Sequence, residues 1–386
     1  MAGKNDYIKD VARERTYQNQ NKAYDEAYFK WRSDESNQYS FNYVHDTREH
    51  SYMAGRGFIK RGADTAEQAT LHNCLRLLGA VMLVMISFDA IAYLFSVYFN
   101  NGMPCNAVYF SEKSGLGTSD LTVCLMYAGI NVLKYLSAIL IYHVRTKLPL
   151  EVALPRGRET PVRMFNMNAV TIMLMIIVIG RLSNYALSRI FGLVSVDSVY
   201  IYMFNNGSTA AVHFSLVYNC IVLPVFCEIF FRGLVLQSFR QFGDSFAVIV
   251  SAVACGLSFY DLSYMGFAIL CSVVIGVFTV RSGSILTAIL MHSISTLCNY
   301  LLIYAGLVSS SAGRALSITV YLIICAAAIA VYSKLNSSND WSFNIERSES
   351  ELPFLKKLQL MLSSNTVALW FVCAVVMILV TMRFTS

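Results

Sequence analysis

Nine apolar runs recur between residues 77 and 382, and they constrain this chain more than any other feature. Crossing a hydrocarbon core of roughly 30 Å takes about 20 helical residues. Inside lipid every backbone N–H and C=O must find a partner within the protein, which leaves helices and closed barrels as the spanning structures. The runs are Leu77–Phe99, Leu121–Val144, Ala169–Phe191, Ala211–Phe231, Ser245–Tyr260, Tyr264–Val280, Ile285–Leu307, Leu316–Tyr332 and Thr366–Met382. They predict an all-α fold, a polytopic transmembrane helical bundle of about nine spans. The composition agrees, with 56% apolar and 14% charged residues and a mean hydropathy of +0.51, far from an ordinary soluble domain. The fifth and sixth runs are short and predict a tight helical hairpin around Asp261-Leu262-Ser263.

The first 70 residues differ from the rest. They are charged, rich in Tyr and poor in Leu, Ile and Val, and no apolar core of a signal peptide is present. They read as a polar, partly disordered cytoplasmic tail (1–70), able to form short helices near Tyr24–Trp31 and Thr65–Arg76. The remainder divides into N-terminal transmembrane helices (71–205), a motif-bearing core (206–310) and C-terminal transmembrane helices (311–386). Lys and Arg sort to one side of the runs: Arg145, Lys147, Arg156, Arg158 and Arg163 in one loop, Arg240, Arg281, Lys334 and Lys357 in later ones, against Lys113, Arg314 and, near the C-terminus, Arg383 on the other side. The positive-inside rule then gives a multi-pass protein of the plasma membrane, N-terminus cytoplasmic and C-terminus outside. The net charge of +6 is orientation signal, and nucleic acid is not an expected partner. Ten cysteines occur singly, without a C-x-x-C pair, which is neither a disulfide framework nor a zinc ribbon.

Ionisable groups inside membrane helices are expensive and mark candidate sites. Asp89, Lys134 and Arg181 lie within runs, and Asp89 with Lys134 is the simplest buried pair, more readily helix glue than a transport path. A denser group is Cys227-Glu228-Ile229-Phe230-Phe231-Arg232-Gly233. Glu228 and Arg232 stand four apart, within ion-pair reach on one helix face, which alone reads as an internally neutralised pair with Arg232 snorkelling to the interface. Further on come Cys255-Gly256-Leu257-Ser258-Phe259, Arg281-Ser282-Gly283-Ser284-Ile285, and His292 with Thr296 one turn later. A lone His in such a helix is usually a hydrogen-bonded core residue. Because Gly233 to Phe239 is apolar and free of proline, the helix bearing Glu228 is expected to continue towards Arg240.

In order and spacing the segment from about Ala211 to Leu307 resembles the CPBP family, the CAAX proteases and bacteriocin-processing or immunity proteins. The resemblance rests on Phe231-Arg232-Gly233, Ser282-Gly283-Ser284-Ile285 and Met291-His292-Ser293, and covers about a quarter of the chain. It implies a bundle in which an E-E-x-x-x-R helix, an F-x-x-x-H helix end and an H-x-x-x-N (or D) helix line one intramembrane cavity. It further implies an intramembrane endopeptidase of metalloprotease-like chemistry. Glu228, Arg232 and His292 match. The family's first Glu, which activates water, falls on Cys227; its second-motif Phe and His fall on Cys255 and Phe259; its Asn falls on Thr296.

These departures have chemical consequences. A buried thiol replaces a carboxylate poorly as a base near neutral pH, Phe259 brings neither donor nor metal ligand, and Thr296 lacks the reach of an amide. His292 and Glu228, with Cys227 as a third ligand, could hold zinc, but neighbours on a helix point about 100° apart, which disfavours zinc; metal content stays open. The reading is a catalytically weakened or inactive relative that binds a peptide or membrane-protein partner in its cavity, lined in part by Phe259 and Thr296. The alternatives are an active endopeptidase that processes prenylated or hydrophobic peptides with an altered site, including Cys227 as nucleophile with His292 as base, and a transporter or channel subunit built on Asp89, Lys134 and Arg181.

Overall fold

The computed structural model describes residues 20–41, 50–53, 57–60, 65–100, 120–157, 162–192, 208–308, 312–337, 350 and 352–382. In chain order the elements are α1 (Lys22–Arg32), a hairpin of β1 (His50–Met53) and β2 (Gly57–Lys60), α2 (Thr65–Asn100), α3 (Asp120–Thr146), the single turn α4 (Leu150–Ala153) and α5 (Val162–Phe191). Then come α6 (Thr209–Phe242), α7 (Asp244–Leu257), α8 (Leu262–Ser282), α9 (Ile285–Val308), α10 (Ala312–Ser337), α11 (Phe354–Ser363) and α12 (Asn365–Thr381). Apart from the four-residue strands the described elements are helical, as the apolar runs required.

Each of the nine runs falls on a helix, and the count of nine spans is not confirmed. Among the described residues five helices are long and apolar enough to cross a membrane, six if the pair α11–α12, bent by 72°, is one broken span. The apolar stretches Asn168–Leu182, Asp244–Leu257 and Ile318–Lys334 are shorter. At about 1.5 Å per residue the 14 residues of α7 reach only about 21 Å, short of a hydrocarbon core. The sequence pattern reports apolarity, while the geometry of the helix decides whether it spans. Side chains such as Leu94, Leu182, Leu322 and Leu379 point out of the bundle and are exposed, the arrangement of a protein solvated by lipid.

The short helix expected near Tyr24–Trp31 is present as α1, and the helix expected over Thr65–Arg76 is the start of α2. Residues 20–41 are docked, not free; residues 1–19 lie outside the described part. Asn21 caps α1, its Oδ1 accepting from Tyr24 N at 2.8 Å. Tyr24, Tyr28 and Trp31 follow at helical spacing, and all three are buried. Trp31 Nε1 donates to Thr146 O at 2.9 Å at the end of α3, and Phe41 N donates to Gln241 Oε1 at 2.9 Å at the end of α6. Few aliphatics marked this segment as polar, but its aromatic face carries enough apolar surface to join the main core with α2, α3, α6 and α7.

Helix α6 runs unbroken past Arg232 to Phe242, as its apolar, proline-free continuation predicted. It contains two π-helical stretches, Tyr218–Val222 and Ile229–Val235. The first precedes Pro224, whose ring lacks an N–H and crowds the carbonyl four residues back, so the turn widens there. The second begins immediately after Glu228. Gly233 lies within it, and a Cβ there would stand 2.5 Å from Ala153 O, so only glycine lets α4 press against this turn. Helices α7 and α8 pack as the predicted hairpin, with Gly256 allowing Ile269 N within 2.8 Å of where a Cβ would be.

The intramembrane charges are paired. Lys134 Nζ meets Asp89 Oδ1 at 2.7 Å, both side chains buried, joining α2 to α3. Arg181 Nη1 donates to Asn299 Oδ1 at 3.3 Å and stacks over the Tyr321 ring at 5.9 Å, tying α5 to α9 and α10.

Candidate functional site

The polar centre lies where the second π turn of α6 meets α7, α8 and α9. Glu228 is fully buried and Arg232 is 1% exposed. Arg232 Nε stands 3.1 Å from Glu228 Oε2, a charge contact whose angle misses hydrogen-bond alignment. Its Nη1 donates to Glu228 Oε1 at 3.4 Å, and its Nη2 donates to Ser272 O at 3.1 Å and also to Ser272 Oγ. Arg232 therefore does not snorkel: its side chain is buried within the bundle, α6 continues past it, and α8 supplies its acceptors.

His292 reaches in from α9. Its Nδ1 lies 2.7 Å from Glu228 Oε1. An ionised carboxylate can only accept, so the ring donates from Nδ1. The His292 side chain is 19% exposed while that of Glu228 is wholly buried, so the imidazole forms the outer edge of the site. Opposite it, Cys227 Sγ lies 4.0 Å from Cys255 Sγ on α7, and Arg232 Nη1 donates to Cys255 Sγ at 3.5 Å. Tyr135 of α3 faces Cys227.

Of the residues singled out in the sequence, Cys227, Glu228, Arg232 and His292 are brought together. Thr296 is spent locally, its hydroxyl donating back to His292 O at 3.0 Å. The Phe259 ring packs edge-on against Tyr264 at 5.2 Å. Asp89 and Lys134 close on each other, and Arg181 engages Asn299. Sequence reasoning missed three contributors. Cys255 was counted only as a replaced Phe, though a thiol in a motif position within reach of a buried Arg was a legible signal. Ser272 carried no local signal. Gln237 Nε2 donates to Arg232 O at 3.2 Å within the π turn, and Gln237 Oε1 accepts from Tyr24 Oη at 2.7 Å and from Arg240 Nη1 at 3.3 Å. The docked α1 is thus two hydrogen bonds from the backbone of Arg232.

A metal is the group that metalloprotease-like chemistry would require. Cys227 Sγ, a Glu228 carboxylate oxygen and a His292 ring nitrogen lie within 4.8 Å of one another. The expectation that neighbours on a helix cannot face one point is therefore corrected: the helix widens at Ile229, and the three-bond Glu side chain carries its carboxylate around to meet the thiol. As donor types these suit zinc. As arranged they do not fit it, because Glu228 already faces the Arg232 guanidinium and His292 Nδ1 already faces Glu228. A cation would enter beside a buried guanidinium and take away the counter-charge that guanidinium depends on.

Residues 209–298 match the family model described as type II CAAX prenyl endopeptidase Rce1-like. The match covers α6 to the middle of α9, about a quarter of the chain, and contains every residue of the polar centre apart from Tyr135. No curated protein and no solved structure matches the chain.

Proposed function

We propose that the chain, through its Rce1-like segment at residues 209–298, is a membrane protein of the CAAX protease family, and that it is a non-hydrolysing member whose core binds a peptide or membrane-protein partner. One observation carries the reading. The retained carboxylate, Glu228, is fully buried, with one oxygen on His292 Nδ1 at 2.7 Å and the other 3.1 Å from Arg232 Nε. A general base must reach the proton it removes, directly or through one water. Glu228 instead serves as counter-ion to Arg232 and as anchor for His292. At the adjoining position, where the family's base would stand, Cys227 turns a buried thiol towards Cys255. The partner engages the partly exposed His292 edge. The Lys and Arg distribution supports a plasma-membrane protein with a cytoplasmic N-terminus.

The test is hydrolysis by purified protein of quenched-fluorescent peptides, prenylated and plain. The expected result is no cleavage by the wild type, while a photo-reactive prenylated peptide labels α9 near His292 and competes with its unlabelled form. Cleavage by the wild type that is lost in Cys227→Ala would overturn the reading in favour of an endopeptidase with Cys227 in a nucleophilic role. The transporter reading has less support, since Asp89 and Lys134 face each other at 2.7 Å in a buried pair.

A further inference from the structure

The polar centre contains a pair of thiols that neither hydrolysis nor partner binding uses. Cys227 Sγ and Cys255 Sγ face each other at 4.0 Å across the α6–α7 contact, both buried and 28 positions apart in the chain. Each belongs to a helix held on several sides: α6 by Gly233 against Ala153 O, α7 by Gly256 against Ile269. The two sulfurs are therefore presented to each other by the fold. They are not equivalent. Arg232 Nη1 donates to Cys255 Sγ at 3.5 Å, whereas Cys227 faces the phenol of Tyr135. Of the two sulfurs, that of Cys255 is the one with a charged donor against it. Both are buried, unlike the α12, α10 and α9 thiols Cys373, Cys325 and Cys298, which are partly exposed.

We propose that Cys227 and Cys255 form a redox-modification site, a dithiol that a hydroperoxide converts to a disulfide stapling α6 to α7. The attacking sulfur is that of Cys255. It displaces the hydroperoxide's O–O bond, taking one oxygen as Cys255 sulfenic acid while the thiol proton leaves with the other oxygen as alcohol or water. The Cys227 sulfur then attacks the Cys255 sulfur. The S–O bond breaks, the hydroxyl leaves with the Cys227 proton as water, and the S–S bond forms. Two thiols lose two electrons and one hydroperoxide gains them, so no further co-reactant is needed. Closure moves the sulfurs from 4.0 Å to a bond of about 2.05 Å, a movement shared between two side chains. Thiol reductants reverse it by exchange. A hydroperoxide suits the site because it is small and uncharged, and His292, 19% exposed, is the outer edge of the polar centre. Oxidation removes the Cys255 contact from Arg232 and fixes the π turn against α7. The site becomes one that reports redox state at the position where the family's base would stand. The geometry of the thiols supports this step whether or not the protein hydrolyses peptides.

The experiment uses the full-length protein in detergent, exposed to hydrogen peroxide or tert-butyl hydroperoxide, blocked with N-ethylmaleimide, digested without reduction and analysed by mass spectrometry. The expected product is a disulfide joining the Cys227 and Cys255 peptides, lost on treatment with dithiothreitol. In Cys227→Ser the sulfenic acid has no resolving thiol, and dimedone should label Cys255 at least tenfold more than it labels Cys227 in Cys255→Ser. Recovery of both cysteines as alkylated thiols, while Cys298 or Cys373 is oxidised in the same sample, overturns the proposal. So does a disulfide from either residue to Cys271 or another thiol. Preferential dimedone labelling of Cys227 overturns the assigned order of attack. The wild-type peptide map needs no variant, so misfolding of a Ser replacement leaves the main result intact.

Discussion

Replacing Glu228 by Gln keeps the shape of the side chain and an oxygen for His292, but removes the negative charge facing Arg232. At an effective dielectric of about 20, two unit charges 3.1 Å apart attract by about 5 kcal/mol before desolvation is counted. Breaking a buried pair by removing one partner costs about 3–5 kcal/mol, because the other charge stays buried. Arg232 keeps Ser272 O and Oγ and the Cys255 sulfur as partners, which brings the expected loss to about 2–4 kcal/mol. A domain's whole stability is of order 5–15 kcal/mol, so the loss is easily measured. The assay is unfolding in mixed micelles titrated with denaturing detergent, for wild type, Glu228→Gln, Arg232→Gln and the double variant. The double variant should resemble the worse single one, giving a coupling energy of about 2–3 kcal/mol between the two positions. Additive losses, with coupling under about 0.5 kcal/mol, would show that the two side chains do not depend on each other and would refute the reasoning.

Further expectations concern the surroundings of that pair. Tyr24→Phe removes the hydroxyl that donates to Gln237, and should raise hydrogen exchange across residues 229–236 while residues 20–41 stay docked; unchanged exchange in the π turn would disconnect α1 from the site. Gly233→Ala forces a methyl within 2.5 Å of Ala153 O, and should cost about 1–3 kcal/mol in the same detergent titration, whereas Gly266→Ala, where a Cβ meets nothing within 4 Å, should be close to neutral. Lys134→Met leaves Asp89 buried without its counter-charge and should lower stability by about 3 kcal/mol, with Asp89→Asn/Lys134→Met recovering most of it; no recovery would argue against a pair that acts as helix glue.

Apolar periodicity determined that this chain is helical and lives in lipid, because a helix that buries its own hydrogen bonds needs only a long enough apolar segment to declare itself. The same logic made the Glu228–Arg232 spacing readable: a separation of four on a helix is a contact in any fold. The continuation of α6 to Arg240 was likewise written in the absence of proline after Arg232. Other features needed the third dimension. The 14 residues of α7 are as apolar as a span and too short to be one, and the bend between α11 and α12 is set by their packing on α2. Docking of residues 20–41 depends on three aromatics finding the ends of α3 and α6, contacts more than 100 positions apart in the chain. Above all, the meeting of Cys227 with Glu228 and His292, and of Cys255 with Arg232, was decided by a widened turn of α6 and by α7 and α8 closing over it. Spacing along a regular helix places neighbours about 100° apart; only the tertiary structure, by distorting that helix and surrounding it, chooses which side chains share one buried point.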